Sequence, residues 1–199
     1  LLLSQFCYNT AMEYEKQLQF LKNKFEAGQL GHAYVFSGAD MAGLKRFAKE
    51  VVKLVNAKSI PGSPLAIEKE QFPDLLVVKS ENSKSSQKDG EDKQEIDILL
   101  IRETQHFLSY KSYYGGYKAV IIENAERMNI EAQNCFLKNL EEPKGDTLIM
   151  LLSSNPEMLL PTISSRCQQI KFLTPRSLGA VGVAPELLQI LQGDLAEKF

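Results

Sequence analysis

Apolar residues along this chain recur with two alternating periods. Tyr14, Leu18, Leu21 and Phe25 share one face at helical spacing with charged residues between them, and Gly28 follows as a stop, which predicts an amphipathic helix. Ala33-Tyr34-Val35-Phe36 is a short run of β character, the segment Gly38 to Gly43 reads as a turn, and Phe47, Val51, Leu54 and Val55 form a second helical stripe. A Pro/Gly/Ser-containing connection around Pro61 to Pro64 leads to Leu75-Leu76-Val77-Val78, a buried strand. Ile98, Ile101, Gln105 and Leu108 then predict a helix, and Ala119-Val120-Ile121-Ile122 a strand. Met128, Ala132, Phe136, Leu137 and Leu140 predict a further helix, terminated by Pro143. Thr147 to Leu152 is the next apolar strand, Pro156 to Ile163 a short helical or turn segment, and Cys167 to Phe172 an alternating final strand.

Strands separated by helices predict an α/β core over residues 1–174, a five-stranded parallel sheet covered by helices on both faces. Residues 79–95 are almost wholly polar, cannot bury a face, and are expected to form a mobile surface loop. Beyond Pro175 the breakers Gly179, Gly182 and Pro185 precede a helical stretch from Glu186 to Leu195. So short a tail, residues 175–199, cannot fold alone and is expected to begin a small helical lid that continues elsewhere. The first residue is not methionine, so the numbering is expected to cover part of a longer chain.

Composition narrows the function classes. With 23 Lys+Arg against 25 Asp+Glu, the chain lacks the cationic excess that holds nucleic acid by a global field, although a local basic patch stays open. Cys7, Cys135 and Cys167 are far apart and form no C-x-x-C pair, so neither a disulfide framework nor a four-ligand zinc site is legible. A reducing, cytoplasmic setting fits this usage, and no apolar run approaches the roughly 20 residues that span a bilayer.

In a parallel α/β sheet the turn after the first strand is where backbone amides and a helix N-terminus cradle phosphates. Here it reads Gly38-Ala39-Asp40-Met41-Ala42-Gly43-Leu44-Lys45. A phosphate loop needs G-x-x-x-x-G-K-[ST], with the lysine on the phosphates and the hydroxyl on Mg²⁺. The glycines keep that spacing, but Leu44 stands at the lysine position and Lys45 at the hydroxyl position, about 100° further around a helix. ATP turnover in this pocket is not expected. A tight strand-to-helix turn is the simpler reading of Gly38 and Gly43, with weak nucleotide binding the alternative. The strand Ala119 to Ile122 ends in Glu123-Asn124, where a nucleotide hydrolase carries an acidic pair for Mg²⁺ and the attacking water. An amide cannot act as a general base. His32 and His106 stand apart from any ligand cluster and are read as structural, and no Ser/His/acid constellation is legible. Arg166, in the short polar turn Pro161 to Cys167, is placed either for a surface ion pair or for reaching a neighbour's phosphates.

Five pieces occur in order: His32-Ala-Tyr-Val-Phe-Ser-Gly38; Phe72-Pro-Asp-Leu75; Gly115-Gly-Tyr-Lys-Ala-Val-Ile-Ile-Glu-Asn-Ala-Glu-Arg-Met-Asn129; Asn134-Cys-Phe-Leu-Lys-Asn-Leu-Glu-Glu-Pro143; and Thr162-Ile-Ser-Ser-Arg-Cys167. Together, over about residues 14 to 173, they resemble the AAA+ domain of bacterial DNA polymerase III clamp-loader subunits, most closely the delta-prime branch. The resemblance implies a P-loop NTPase-like core within a hetero-oligomer with gamma/tau and delta subunits, which places a sliding clamp on primed DNA. It also implies that Arg166 is an arginine finger acting in trans on a neighbour's ATP, with Ser165 and Cys167 fixing its turn. The delta-prime branch commonly carries a defective phosphate loop, which matches Leu44, Lys45 and Asn124, so no ATPase activity and no cofactor of its own are expected. The alternative is an ATP-hydrolysing, gamma/tau-like subunit with unusual motifs. Many relatives insert a four-cysteine zinc hairpin after the first core helix, but Asn56 to Gln71 holds no cysteine, and no zinc is expected.

Overall fold

A computed structural model describes residues 2–57, 63–80 and 95–172, with side chains from Tyr14 onward. The elements are α1 (Leu2–Glu26), β1 (Ala33–Ser37), α2 (Met41–Asn56), α3 (Ser63–Glu68), β2 (Leu75–Val78), α4 (Ile98–Ser109), β3 (Lys118–Ile122), α5 (Ile130–Glu141), β4 (Thr147–Ser153), α6 (Pro161–Ser164) and β5 (Gln168–Lys171). Single 3₁₀ turns at Ala125–Arg127 and Pro156–Met158 lead toward α5 and α6.

The five strands form one parallel sheet in the order β2-β3-β4-β1-β5. Strand residues alternate between two apolar layers. Tyr34, Phe36, Ala119, Ile121, Leu148, Met150 and Leu152 pack with the α1–α2–α3 side, while Val35, Val120, Ile122, Ile149 and Leu151 pack with the α4–α5 side. Burial on both faces is why these strands read as continuous apolar runs rather than alternating ones. β5 is the exception, an edge strand whose Gln168, Gln169 and Lys171 are exposed. Polar side chains on an exposed edge discourage pairing with another chain.

The sheet agrees with the sequence expectation, and four local features differ. α2 begins at Met41, so Gly43 lies inside a helix rather than in the preceding turn. α1 starts well before Tyr14. The connection after α2 contains the short helix α3, which the Pro-containing sequence hid because Pro64 sits in its first turn, where a missing N–H costs nothing. Met128 precedes α5 and packs from the 3₁₀ turn. The expected mobile loop falls almost wholly, and the expected lid at 175–199 entirely, outside the described residues.

Two devices fix the geometry near the sheet ends. Beneath the first turn, Phe36, Phe47 and Phe172 pack edge to face at 4.8–5.6 Å, each such pair contributing about 0.5–1.5 kcal/mol beyond its area. At the opposite end the buried Asp74 accepts from the Ser112 hydroxyl and from the backbone N–H groups of Tyr113 and Tyr114, and so pins the loop that enters β3.

Candidate functional site

The carboxyl ends of β1, β3 and β4 gather the residues of the suspected phosphate pocket. Gly38 N–H donates to Ser153 O at 3.1 Å and Phe172 N–H to Ser37 O at 2.7 Å, so the turn is stitched to both flanking strands. A Cβ on Gly38 would lie 2.9 Å from the Phe172 carbonyl oxygen, which is the physical reason for glycine there. The next residues cap rather than cradle. Asp40 is the N-cap of α2, its Oδ1 accepting from Gly43 N–H at 2.9 Å. A carboxylate of the chain therefore occupies the helix N-terminus, where orphan amides and the helix dipole favour an anion.

Leu44, at the lysine position of the motif, is fully buried in the core. Lys45 turns sideways to Glu123 at 2.8 Å and Glu70 at 2.6 Å. Its burial favours the neutral amine, but the two carboxylates outweigh this and hold its pKa above the ordinary lysine value. Glu70 also receives Lys49 at 3.1 Å and Lys79 at 3.4 Å. Burial there pushes the carboxyl up, yet the hydrogen bonds and charges of Lys45 and Lys49 prevail and bring it down to about 2. Asn124 adopts the left-handed conformation with φ of 50°, which asparagine tolerates, and opens the 3₁₀ turn after β3. One step on, Glu126 accepts from the Ser154 hydroxyl at 2.6 Å and backbone N–H at 3.2 Å, joining the ends of β3 and β4. The residues present do not suit Mg-ATP: the lysine position is apolar and inside, the hydroxyl position is a lysine already paired, and the helix N-terminus is filled by Asp40.

At the other end of the sheet stands Arg166. Its turn is anchored by Ile163 and Cys167, both buried. Gln133 of α5 accepts from Leu160 N–H at 2.7 Å and donates to Met128 O at 2.9 Å, tying the turn to α5. The turn continues α6, with Ser165 N–H on Pro161 O and Arg166 N–H on Ile163 O. The guanidinium donates to Thr162 O at 3.0 Å and to Ser165 Oγ at 3.5 Å, and pairs with Glu141 at 2.8 Å. It remains 38% exposed. Cys167 is a packing residue, its thiol pushed up to about 12 by burial, so thiolate chemistry is closed to it.

The register separates these two regions. Tyr34 pairs with Gln168 and Ser37 with Lys171, so Arg166 enters β5 at the amino end while Gly38 leaves β1 at the carboxyl end. Six residues of strand rise lie between their levels, roughly 20 Å. An arginine side chain cannot span that, so Arg166 has no access to the chain's own glycine turn.

His32 bonds to Leu140 O at 2.8 Å, and the exposed His106 to the Tyr110 hydroxyl at 3.0 Å. Among the described residues no group of three or more His, Cys, Asp and Glu side chains is placed to hold a metal ion, and no helix is long and apolar enough to cross a membrane. Sequence reasoning missed Asp40, Glu70 and Glu141. The first carried a local signal, an Asp just before a helical stripe, whereas Glu70 and Glu141 meet partners distant in the chain.

Strand order, parallel register and the glycine turn after β1 define a P-loop NTPase-like α/β domain. The sequence profile described as "DNA polymerase III, delta subunit" matches residues 13–176, and the chain belongs to that family. It is 41% identical over 97 residues, 49% of its length, to DNA polymerase III subunit delta' of Pseudomonas aeruginosa. It is 31% identical over 81% of its length to subunit delta' of Bacillus subtilis, and 29% identical over 88% to subunit tau of the same organism. The chain spans 27%, 48% and 31% of these three proteins, about half their length at most. The crystal structure of a DNA polymerase III gamma subunit-related protein from Thermotoga maritima superposes with a TM-score of 0.59 at 29% identity, covering 88% of this chain and 54% of that one.

Proposed function

We propose that this domain belongs to a non-catalytic clamp-loader subunit that lends Arg166 in trans to ATP held by a neighbouring subunit. Its partners are the gamma/tau and delta subunits and, through the assembled complex, the sliding clamp and primed DNA. The observation that carries the proposal is the placement of Arg166: a half-exposed guanidinium on a rigid turn, roughly 20 Å along the strands from its own vestigial pocket. A planar, permanently charged donor fork in that position suits phosphate oxygens on which negative charge develops. Ser165 and Cys167 hold the turn, the first by bonding Thr162 O and the second by burial. The vestigial residues Gly38, Gly43, Leu44, Lys45, Glu123 and Asn124 serve the fold rather than hydrolysis. The domain takes no nucleotide and no zinc of its own.

The alternative, an ATP-hydrolysing gamma/tau-like subunit, is favoured by the identity to tau over most of the chain. Two measurements separate the readings. The isolated full-length subunit, titrated with a fluorescent ATP analogue with and without Mg²⁺, is expected to give neither Mg-dependent binding nor turnover; both, abolished by Lys45→Ala, would establish the alternative. In the reconstituted complex, Arg166→Ala in this subunit is expected to slow DNA- and clamp-stimulated ATP hydrolysis by at least about tenfold, since finger contacts contribute 10³–10⁵ in GTPase systems. An unchanged rate contradicts the proposal.

A further inference from the structure

The ion cluster beside the glycine turn has a composition the finger proposal leaves unused. Lys45 and Lys49 lie one helical turn apart on α2, and Lys79 follows directly on β2. All three ammonium groups converge on one carboxylate. Glu70 Oε1 takes Lys45 at 2.6 Å and Lys49 at 3.1 Å, and Oε2 takes Lys79 at 3.4 Å. Lys49 is nearly buried, with an exposure of 8%, and also donates to Glu68 O at 2.8 Å. The nearby Glu50 and Glu68 carboxylates are committed to Lys53.

The residue supplying that carboxylate breaks a local rule. Glu70 N–H donates to Ile67 O and Gln71 N–H to Ala66 O, the paired bonds that close a helix C-terminus, with Glu70 at the left-handed position between them, φ of 56°. Glycine is the residue that fits there, since a side chain at positive φ is strained. A glutamate kept at a glycine position, and aimed at three lysines, marks a site where the side chain matters more than the backbone.

We infer that Lys45, Lys49 and Lys79 form a binding site for a compact multivalent oxyanion of the phosphate or diphosphate class, and that Glu70 is the chain's own occupant of it. The site is built from side chains of α2 and the end of β2, not from the amides of the glycine turn that Asp40 caps. With Glu70 in place all three lysines pair with it and Lys45 also with Glu123; without it Lys49 and Lys79 lose their carboxylate and Lys45 keeps Glu123 alone, in a partly desolvated setting where charge interactions are strengthened. Such an arrangement attracts an anion with three or more oxygens. The inference is independent of Arg166.

Glu70→Gly tests it with little backbone risk, because glycine relaxes the left-handed residue, and Glu70→Gln provides a variant of unchanged shape. Thermal unfolding of the full-length subunit is followed with sodium pyrophosphate, inorganic phosphate or Mg-free ATP, each at about 10 mM, against sodium chloride of matched ionic strength. Both variants are expected to gain about 3 °C or more with pyrophosphate while the parent protein does not respond, and Lys79→Ala added to Glu70→Gly is expected to cancel the gain. A larger gain with ATP than with pyrophosphate would identify the nucleotide as source of the phosphate, the reverse a free anion. Absence of any gain in both variants, an equal gain in the parent, or loss of the fold in Glu70→Gly would overturn the inference.

Discussion

At the scale of single residues, charge placement separates the two ends of the sheet. The pairing of Arg166 with Glu141 is exposed, so it contributes only about 0.2–1 kcal/mol. Arg166→Ala is accordingly expected to leave the domain folded, with urea unfolding within about 1 kcal/mol of the parent, so that any loss of activity reports chemistry rather than folding. Glu70 is of the other kind. Its carboxyl lies at about 2 in the folded protein against 4.5 for the free group, so its stabilising contribution is fully present above about pH 4.5 and disappears as pH falls toward 2. The stability difference between the parent and Glu70→Gln is expected to be constant between about pH 5 and pH 10, below the ordinary lysine range, and to close between pH 4.5 and 2, as read by thermal unfolding across that range. A difference that stayed constant to pH 2 would show that the lysines do not hold the ionised form.

At the scale of elements, what was legible in the sequence is what burial dictates. Val120, Ile122, Ile149 and Leu151 face one helical layer and Ala119, Ile121, Leu148 and Met150 the other, so uninterrupted apolar runs mark strands covered on both faces. The start of α2 was not legible, because two local preferences compete there. Glycine spacing places a loop through Gly43, while Asp40 caps a helix beginning at Met41, and the cap prevails with its bond to Gly43 N–H. Arg166 was legible as a turn residue suited to a surface ion pair or to a neighbour's phosphates; which acid it pairs with was not, since Glu141 lies on another element. The junction of β1 and β5 tests the element-level description. A methyl group on Gly38 meets the Phe172 carbonyl at 2.9 Å, and this backbone oxygen cannot swing aside as a side chain would. Gly38→Ala is expected to force β5 away from β1 and to cost about 1–3 kcal/mol in urea unfolding, typical of overpacking. Stability equal to the parent's would mean that the turn is looser than its hydrogen bonds imply.

At the scale of the whole molecule, one sheet carries two unlike ends. Its carboxyl end holds the glycine turn after β1, with Leu44 in the core, Asp40 on the helix terminus and Lys45 between two carboxylates. Its amino end presents Arg166 beyond reach of that turn. The function proposed above assigns the ATP to a neighbouring subunit, and this polarity is the feature on which that proposal rests. The most direct measurement is the maximal ATPase rate of the reconstituted complex at saturating ATP, with this subunit carrying Arg166, Arg166→Lys or Arg166→Ala, and assembly verified by gel filtration. Both variants are expected to lower the maximal rate at least about tenfold, Lys included because a point charge does not reproduce the guanidinium fork, with the complex intact. Rates equal to the parent's in fully assembled complexes would contradict the central claim.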